Sequence, residues 1–405
     1  MNIYYFISKR ISKARKGSFS SIVVRIAIAS IAVGLSVMIV SFAILEGFEY
    51  NIKRKIFSFD AHIQISKYDM NESFEEFPIT INSELYLTAT AIPSIKHIQP
   101  YATKAGLFKT DEEVLGVVLK GVSNQFAITD FVQNLKKGRF VHFPDSTPSQ
   151  EIIISQRCAD KLKLDVDSTI NMFFIQNPPR ARKFKICGIY ETGMEEFDNV
   201  YVIGDLRNIQ KLNNWPDDMV GGYEIFLKDF NQLDAASDEI VLKMQYDMGL
   251  EKITDKYIQL FDWLSLLNRN VYLFLGLIVF VASFNIVSTL LVMIMERVNM
   301  IGMLKSMGAR NAQIRNIFFY TGGFIIARGL LWGNAIGLTF CLIQYFFKVI
   351  PLDESNYYIA YVPIYWDLVI IIISNLFLFT VLVVAVAIPT FVISRFRPIQ
   401  SIKFN

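Results

Sequence analysis

The sequence predicts a membrane protein with four transmembrane α-helices and a large α+β extracytoplasmic domain inserted between helices 1 and 2. Three observations carry this. The chain of 405 residues is 53% hydrophobic and holds 34 Phe, with a mean hydropathy of +0.36, too apolar for a soluble domain. The apolar residues gather in four runs, 22–45, 269–295, 316–348 and 363–393, each long enough to cross a hydrocarbon layer of roughly 30 Å. Between the first and second runs, residues 46–268 mix charges, turn residues and short alternating stretches.

Residues 1–21 form a basic segment, with Lys9, Arg10, Lys13, Arg15 and Lys16 ahead of the first span. That span would be roughly 36 Å long as a helix. It is too long for a signal-peptide core, and no small-x-small cleavage site follows Leu45-Glu46-Gly47, so it reads as an anchor. Arg25 reads as a side chain snorkelling to the cytoplasmic face.

In 46–268, Ala61, Ile63 and Ile65 alternate with His62, Gln64 and Ser66, and Tyr223, Ile225 and Leu227 alternate in the same way. Both predict strands, as do Phe184, Ile186 and Tyr190. Glu151 to Ile154 predicts a buried strand, and Ala159, Leu162 and Leu164 predict a helix after it. Leu233, Ala236, Ile240, Met244 and Met248 mark one face of another helix. Leu260, Leu264, Leu267, Val271, Phe274 and Ile278 step by threes and fours. They fit a helix continuous from the domain into the second span, and equally an ordinary packing seam.

Asn285 and Ser288 interrupt the second span and belong against other helices or a cavity. In the third, Gly329, Gly333 and Gly337 repeat every four residues, a pattern for close helix packing, and Arg328 reads as reaching the cytoplasmic interface. An outer loop, 349–362, carries Asp353 and Glu354. The fourth span has Trp366 at its outer end and Pro389 near its inner end, and the tail 394–405 is basic. Basic flanks on 1–21, 296–315 and the tail put these in the cytoplasm, and 46–268 outside.

The segment 296–315 stands out. Met300, Leu304 and Met307 recur at i, i+4, i+7 between Arg297, Lys305 and Arg310, predicting a short surface helix with one apolar ridge, a docking handle. A plain basic loop that only sets orientation fits the same residues. The chain holds no Gly-x-x-x-x-Gly-Lys-Ser/Thr motif, so energy must come from a partner or not at all. His62, His97 and His142 lack metal spacing, no nucleophile elbow or HExxH helix occurs, and no carboxylate pair is singled out. The reading is therefore a non-catalytic subunit with no metal. The net charge of +3 clusters beside the spans and excludes a nucleic-acid surface. Cys158, Cys187 and Cys341 make no framework; a Cys158–Cys187 bridge stays open.

Glu296-Arg297, Ile301-Gly302-x-Leu304-Lys305-x-x-Gly308-Ala309 and Ile317-Phe318 resemble the coupling segment of FtsX/MacB/LolC-type ABC permeases. This chain has Asn299-Met300 where many members have an acidic residue. Phe6-Ile7-x-x-Arg10, Ile31-Ala32-Val33-Gly34 and Ile44-Leu45-Glu46-Gly47-Phe48 resemble the first helix of lipoprotein-releasing permeases of LolC/LolE type, with Glu46 where many carry Asn. The glycine repeat, Trp366-Asp367, Ala387-Ile388-Pro389 and Pro398-Ile399-x-x-Ile402 are similar too. The resemblance spans the chain and is weakest between Asp69 and Gln150.

The resemblance implies an inner-membrane complex of two permease and two ATPase subunits, with ATP and Mg bound in the ATPase and no cofactor in this chain. Such a complex draws a triacylated lipoprotein from the outer leaflet and passes it to a periplasmic carrier. Exposing acyl chains costs about 0.8 kcal/mol per methylene, so the step needs ATP and an apolar path. By this analogy Glu296, Arg297, Met300, Ile301, Gly302, Leu304, Lys305 and Gly308 couple to the ATPase. Asn177, Pro178, Pro179, Arg180 and Arg182, in the hairpin from Ile175, hook the carrier, although a plain hairpin connection fits as well. Leu45, Phe48, Phe274 and Leu275 line the substrate cavity or simply face lipid. The domain would divide into a membrane-proximal part, 46–105 and 222–268, and a distal part, 106–221. Two alternatives stay open, an FtsX-like regulator of cell-wall hydrolases and a MacB-like efflux permease. The large outer domain and proline hairpin favour lipoprotein release.

Overall fold

The computed structural model describes residues 19–69, 74–110 and 113–392. The basic residues expected to mark the N-terminal segment and the tail 394–405 lie outside the described residues, as do Phe6, Arg10, Pro398 and Ile402 of the family motifs. The chain forms two compact units. One takes the described parts of 1–50, 263–352 and 361–405, and the other takes 51–262 with 353–360.

The helical unit is built from four apolar helices, Phe19–Phe59, Ile258–Glu296, Asn311–Phe347 and Leu368–Val392. The first runs on through Gly47 and Asn51 to Phe59, and the second and third begin before their predicted spans, at Ile258 and Asn311. The fourth starts at Leu368 and not at 363. There Asp367 Oδ1 caps the helix by accepting from the Val369 N–H at 2.7 Å. Ile31 and Leu35, Ile286 and Leu290, Ile317 and Ile325, and Leu378 and Leu382 meet in one core. Gly329, Gly333 and Gly337 lie against Ile31, Leu35 and Ser36 of the first helix, where a Cβ would fall within 2.6–3.2 Å of the nearest atom. Asn285 donates to Ser30 Oγ at 2.7 Å, and Asn334 and Asn375 exchange bonds of 2.7 and 3.0 Å, so these amides are satisfied by neighbouring helices. Arg328 is exposed on its helix beside Gly329.

The second unit is a mixed sheet with small helices. Its strands are β1 (Ile63–Lys67), β2 (Ile79–Thr80), β3 (Ile95–Lys109), β4 (Val114–Val122), β5 (Leu135–Gly138), β6 (Glu151–Ser155), β7 (Thr169–Phe174), β8 (Arg180–Tyr190), β9 (Tyr201–Asp205), β10 (Met219–Val220), β11 (Gly222–Leu227) and β12 (Met248–Lys252). The large sheet runs β12-β1-β11-β3-β4-β9-β6-β8-β5, with β7 pairing both β3 and β8. Strands β3, β4, β9, β6, β8 and β7 therefore close into a ring. β3 is the shared spine. Residues up to Tyr101 pair with β11, and those from Tyr101 on pair with β4. A boundary at 105/106 falls inside this unbroken strand, because a long strand can change partners without any break in sequence.

Two predicted helices are shorter than expected. The helix at Leu233 ends at Val241, and Met248 opens the edge strand β12 instead; the apolar spacing continued past the helix by coincidence. The helix Gln156–Leu162 is closed by Lys163 in the left-handed conformation, φ 52°, which leaves Leu164 outside it.

Candidate functional site

The predicted handle is a helix, Val298–Ser306, but it presents a different face. Ile301 joins Ile294, Ile314 and Phe318 in a buried cluster, with Met300, Leu304 and Ala309 packed against it, and Gly302 is buried too. Met300, Ile301, Gly302 and Leu304 therefore hold the helix to its own unit. The outward face carries Asn299, Met303 and Ser306 and continues into Met307, with Met303 61% and Met307 83% exposed. Both faces carry methionines, Met300 inward and Met303 with Met307 outward, so periodicity alone could not choose between them. The helix ends where the Gly308 N–H bonds the Lys305 carbonyl at 3.0 Å and the Ala309 N–H bonds the Leu304 carbonyl at 2.9 Å. Gly308 takes φ +91°, which a side chain would resist. These two hydrogen bonds set the turn into the next helix, where Gln313 Oε1 accepts from the Arg310 N–H at 2.9 Å. Glu296 is exposed, and Arg297 and Lys305 are half-buried.

The proline hairpin joins β7 to β8, with Phe174 opposite Arg180 and Met172 opposite Arg182. Asn177, Pro178 and Pro179 are exposed at its tip, and Ile175 beside them is 77% exposed. Arg180 turns inward, contrary to expectation. It donates to the carbonyls of Lys211 and Leu212 at 2.9 and 2.8 Å and to Asn214 Oδ1 at 3.1 Å. It thereby satisfies the orphan carbonyls at the end of the helix Leu206–Asn213. Arg182 is exposed, and with Lys183 and Lys211 it lines an open groove of about 660 Å³.

The four cavity candidates do not share one surface. Leu45 and Leu275 are buried, Phe48 packs edge-on to Trp263 at 6.3 Å between ring centres, and Phe274 is 68% exposed. Phe274 instead belongs to an outward stripe of the second long helix with Leu277, Phe280, Val281 and Phe284.

A group not singled out in the sequence surrounds Asp60. Lys120 Nζ lies 2.6 Å from Glu224 Oε1 and 3.4 Å from Asp60 Oδ1. Lys256 Nζ lies 2.8 Å from Asp60 Oδ2, and the Tyr257 hydroxyl donates to the same oxygen at 2.7 Å. Burial opposes the charge on Asp60, but Lys256 and then Lys120, with hydrogen bonds from Lys256 and Tyr257, outweigh it and hold the carboxyl well below the usual range. Burial likewise opposes the charges on Lys120 and Lys256, yet their carboxylate partners raise both. The available signal was a lysine inside the apolar run Val117-Val118-Leu119-Lys120-Gly121-Val122 and a glutamate inside Tyr223-Glu224-Ile225.

Cys158 and Cys187 are unbridged and buried, and desolvation pushes both thiols up to about 12.

Four apolar helices, an α+β domain between the first two, and a short surface helix between the second and third define a permease-type membrane subunit. The model described as MacB-like periplasmic core domain matches residues 26–242, and that described as FtsX-like permease C-terminal matches 272–398. The chain belongs to this MacB/FtsX-like permease family. It is 24% identical to the lipoprotein-releasing system transmembrane protein LolC of Neisseria meningitidis, over 88% of each chain. It is 23% identical to LolE of Haemophilus influenzae over 93% of this chain and 94% of that one. The periplasmic region of MacB from Actinobacillus actinomycetemcomitans aligns with 51% of this chain and 95% of its own, at 13% identity and a TM-score of 0.36. The motif-based resemblance to permeases of LolC/LolE type is borne out.

Proposed function

We propose that this chain is the permease subunit of an ABC transporter that releases outer-membrane-destined lipoproteins from the inner membrane to a periplasmic carrier. A separate ATPase subunit, holding ATP and Mg, drives it. The reading rests on likeness to LolC along most of the chain. It is supported by an outward Met303–Met307 face on a helix whose other side is fixed by Ile301 and Leu304. Charge asymmetry puts that helix and both termini in the cytoplasm and 46–268 in the periplasm. The ATPase grips Met303 and Met307, and the carrier meets the tip Asn177-Pro178-Pro179 with Arg182 beside it. A second permease subunit, a copy or a relative, covers part of the stripe around Phe274 and Phe280.

Depletion followed by membrane fractionation tests the proposal. Outer-membrane lipoproteins are expected to accumulate in the inner membrane; normal sorting with a cell-wall defect would overturn it in favour of an FtsX-like regulator. Purification from detergent is expected to bring down a nucleotide-hydrolysing subunit.

A further inference from the structure

The first long helix ends at Phe59, and the second begins at Ile258. Both ends are fastened to the same few side chains within the outer unit. The Phe59 ring stacks on Phe197 at 4.5 Å and lies 5.3 and 5.8 Å from Tyr201 and Tyr190, so the helix ends inside an aromatic core. Its last carbonyl accepts from Lys120 Nζ at 2.8 Å, a cation at a helix C-terminus. The next residue, Asp60, binds Lys256 and Tyr257, which immediately precede the second helix. Phe197 packs edge-on to Tyr257 at 5.6 Å, closing a circuit between the two ends. From the sheet side, Gln99 on β3 donates to Glu224 Oε2 at 2.7 Å, and Gln64 on β1 donates to Asp60 Oδ1 at 2.6 Å while accepting from Lys256 at 2.8 Å.

Two acids and two bases balance here, and Asp60, Lys120 and Glu224 are each no more than 3% exposed at the side chain. An apolar patch of equal volume commonly gives as much stability as a buried ion network. What the network adds is direction. Each carboxylate oxygen and each ammonium has a named partner, so the helix ends are fixed in angle as well as in place.

We propose that Asp60, Lys120, Glu224 and Lys256 are positioning residues that lock the outer end of the first long helix and the root of the second onto the sheet, so that sheet and both helix ends move as one body. For its effect on cargo this rests on the transporter reading above.

Hydrogen exchange on the assembled permease–ATPase complex tests the lock without cargo. Peptides covering 56–60 and 256–262 are expected to exchange equally slowly in the resting and ATP-trapped states, and tenfold faster exchange in either state overturns the proposal. Lipoprotein release per ATP hydrolysed tests the consequence. Lys256→Met is expected to lower that ratio at least fivefold at an unchanged ATPase rate, and Lys256→Arg to restore it. A loss of folded complex alone lowers release and hydrolysis together and leaves the ratio intact, which overturns the positioning role. If Lys256→Met does not assemble, Tyr257→Phe, which removes one hydrogen bond and no charge, is expected to lower the ratio at least twofold, and an unchanged ratio there overturns it. If the wild-type complex releases no lipoprotein, the proposed function fails while the exchange measurement still decides the lock.

Discussion

A Cβ on Gly329 would lie 2.6 Å from Ile31 Cγ2 and 2.7 Å from Ile31 Cβ, so the third and first long helices meet there almost backbone to side-chain root. At Gly333 the obstacles are Leu35 Cβ at 2.8 Å and the Ala32 carbonyl at 2.9 Å; at Gly337 nothing is nearer than Ser36 Cα at 3.2 Å. Gly329→Ala and Gly333→Ala are expected to cost about 1–3 kcal/mol by overpacking. Gly337→Ala should cost less, because the helix propensity of alanine returns up to ~1 kcal/mol. Thermal midpoints in detergent check the order, and equal losses at all three positions would refute the packing argument.

The two sides of the helix Val298–Ser306 should respond oppositely to the same substitution. Met303→Asp and Met307→Asp place a charge on an exposed face and should leave the chain's own thermal midpoint unchanged. They are expected to cut ATPase co-purification at least tenfold. Leu304→Asp puts a charge against Ile294, Ile301 and Phe318 and should destabilise the chain itself by several kcal/mol. Midpoint and pull-down on the same preparations separate the two effects.

Arg180 and Arg182 sit two residues apart on β8 and should separate as cleanly. Arg180→Ala strips three bonds from the end of the helix Leu206–Asn213 and is expected to cost about 1–3 kcal/mol. Among the described residues Arg182 makes a single 3.3 Å bond, to the carbonyl of Ala181, so Arg182→Glu should leave stability within about 0.5 kcal/mol. It is expected to weaken carrier binding at least tenfold. Denaturant midpoints and carrier titration decide.

The four spans were legible because lipid demands long apolar runs, β1, β8 and β11 because side chains alternate along them, and β6 because Ile152, Ile153 and Ile154 form a short apolar run buried on both faces. The ring of strands was not, since the run from Ile95 to Lys109 offers only Pro100, one residue before Tyr101, to mark where β3 leaves β11 for β4. At the handle, Ile301 and Met303 are both apolar and only the tertiary partner, Phe318, decides which turns inward. Arg180 showed its charge but not its target, a helix end more than thirty residues later. Lys120 and Glu224 occupy strand positions where a solvated face is the ordinary expectation, and their partners come from far along the chain, Phe59 and Asp60 at a helix end and Gln99 on β3.

His62 gives the outer unit a pH dependence whose sign can be worked out. Its ring is 8% exposed and lies edge-on to Phe57 at 4.3 Å. Nδ1 accepts from the Leu227 N–H at 2.8 Å, so the ring proton sits on Nε2 and a second proton would break that bond. Burial, and then Lys96, lower its pKa from 6.5 to about 4. The unfolded chain takes up a proton near 6.5 and the folded one only near 4, so through that window the unfolded state binds more protons. The stability is complete above 6.5 and declines as pH falls towards 4, by up to about 3 kcal/mol. Glu76 acts with the opposite sign. Burial outweighs its bonds from Thr103 and raises it to about 7, so its contribution is lost as pH rises from 4.5 through 7. The two are separated by comparing wild type with His62→Asn, whose amide oxygen can still accept from Leu227. Denaturant midpoints at pH 7.5, 6 and 4.5 are expected to fall more steeply for wild type than for the variant, and parallel curves would show that His62 carries no part of the acid sensitivity.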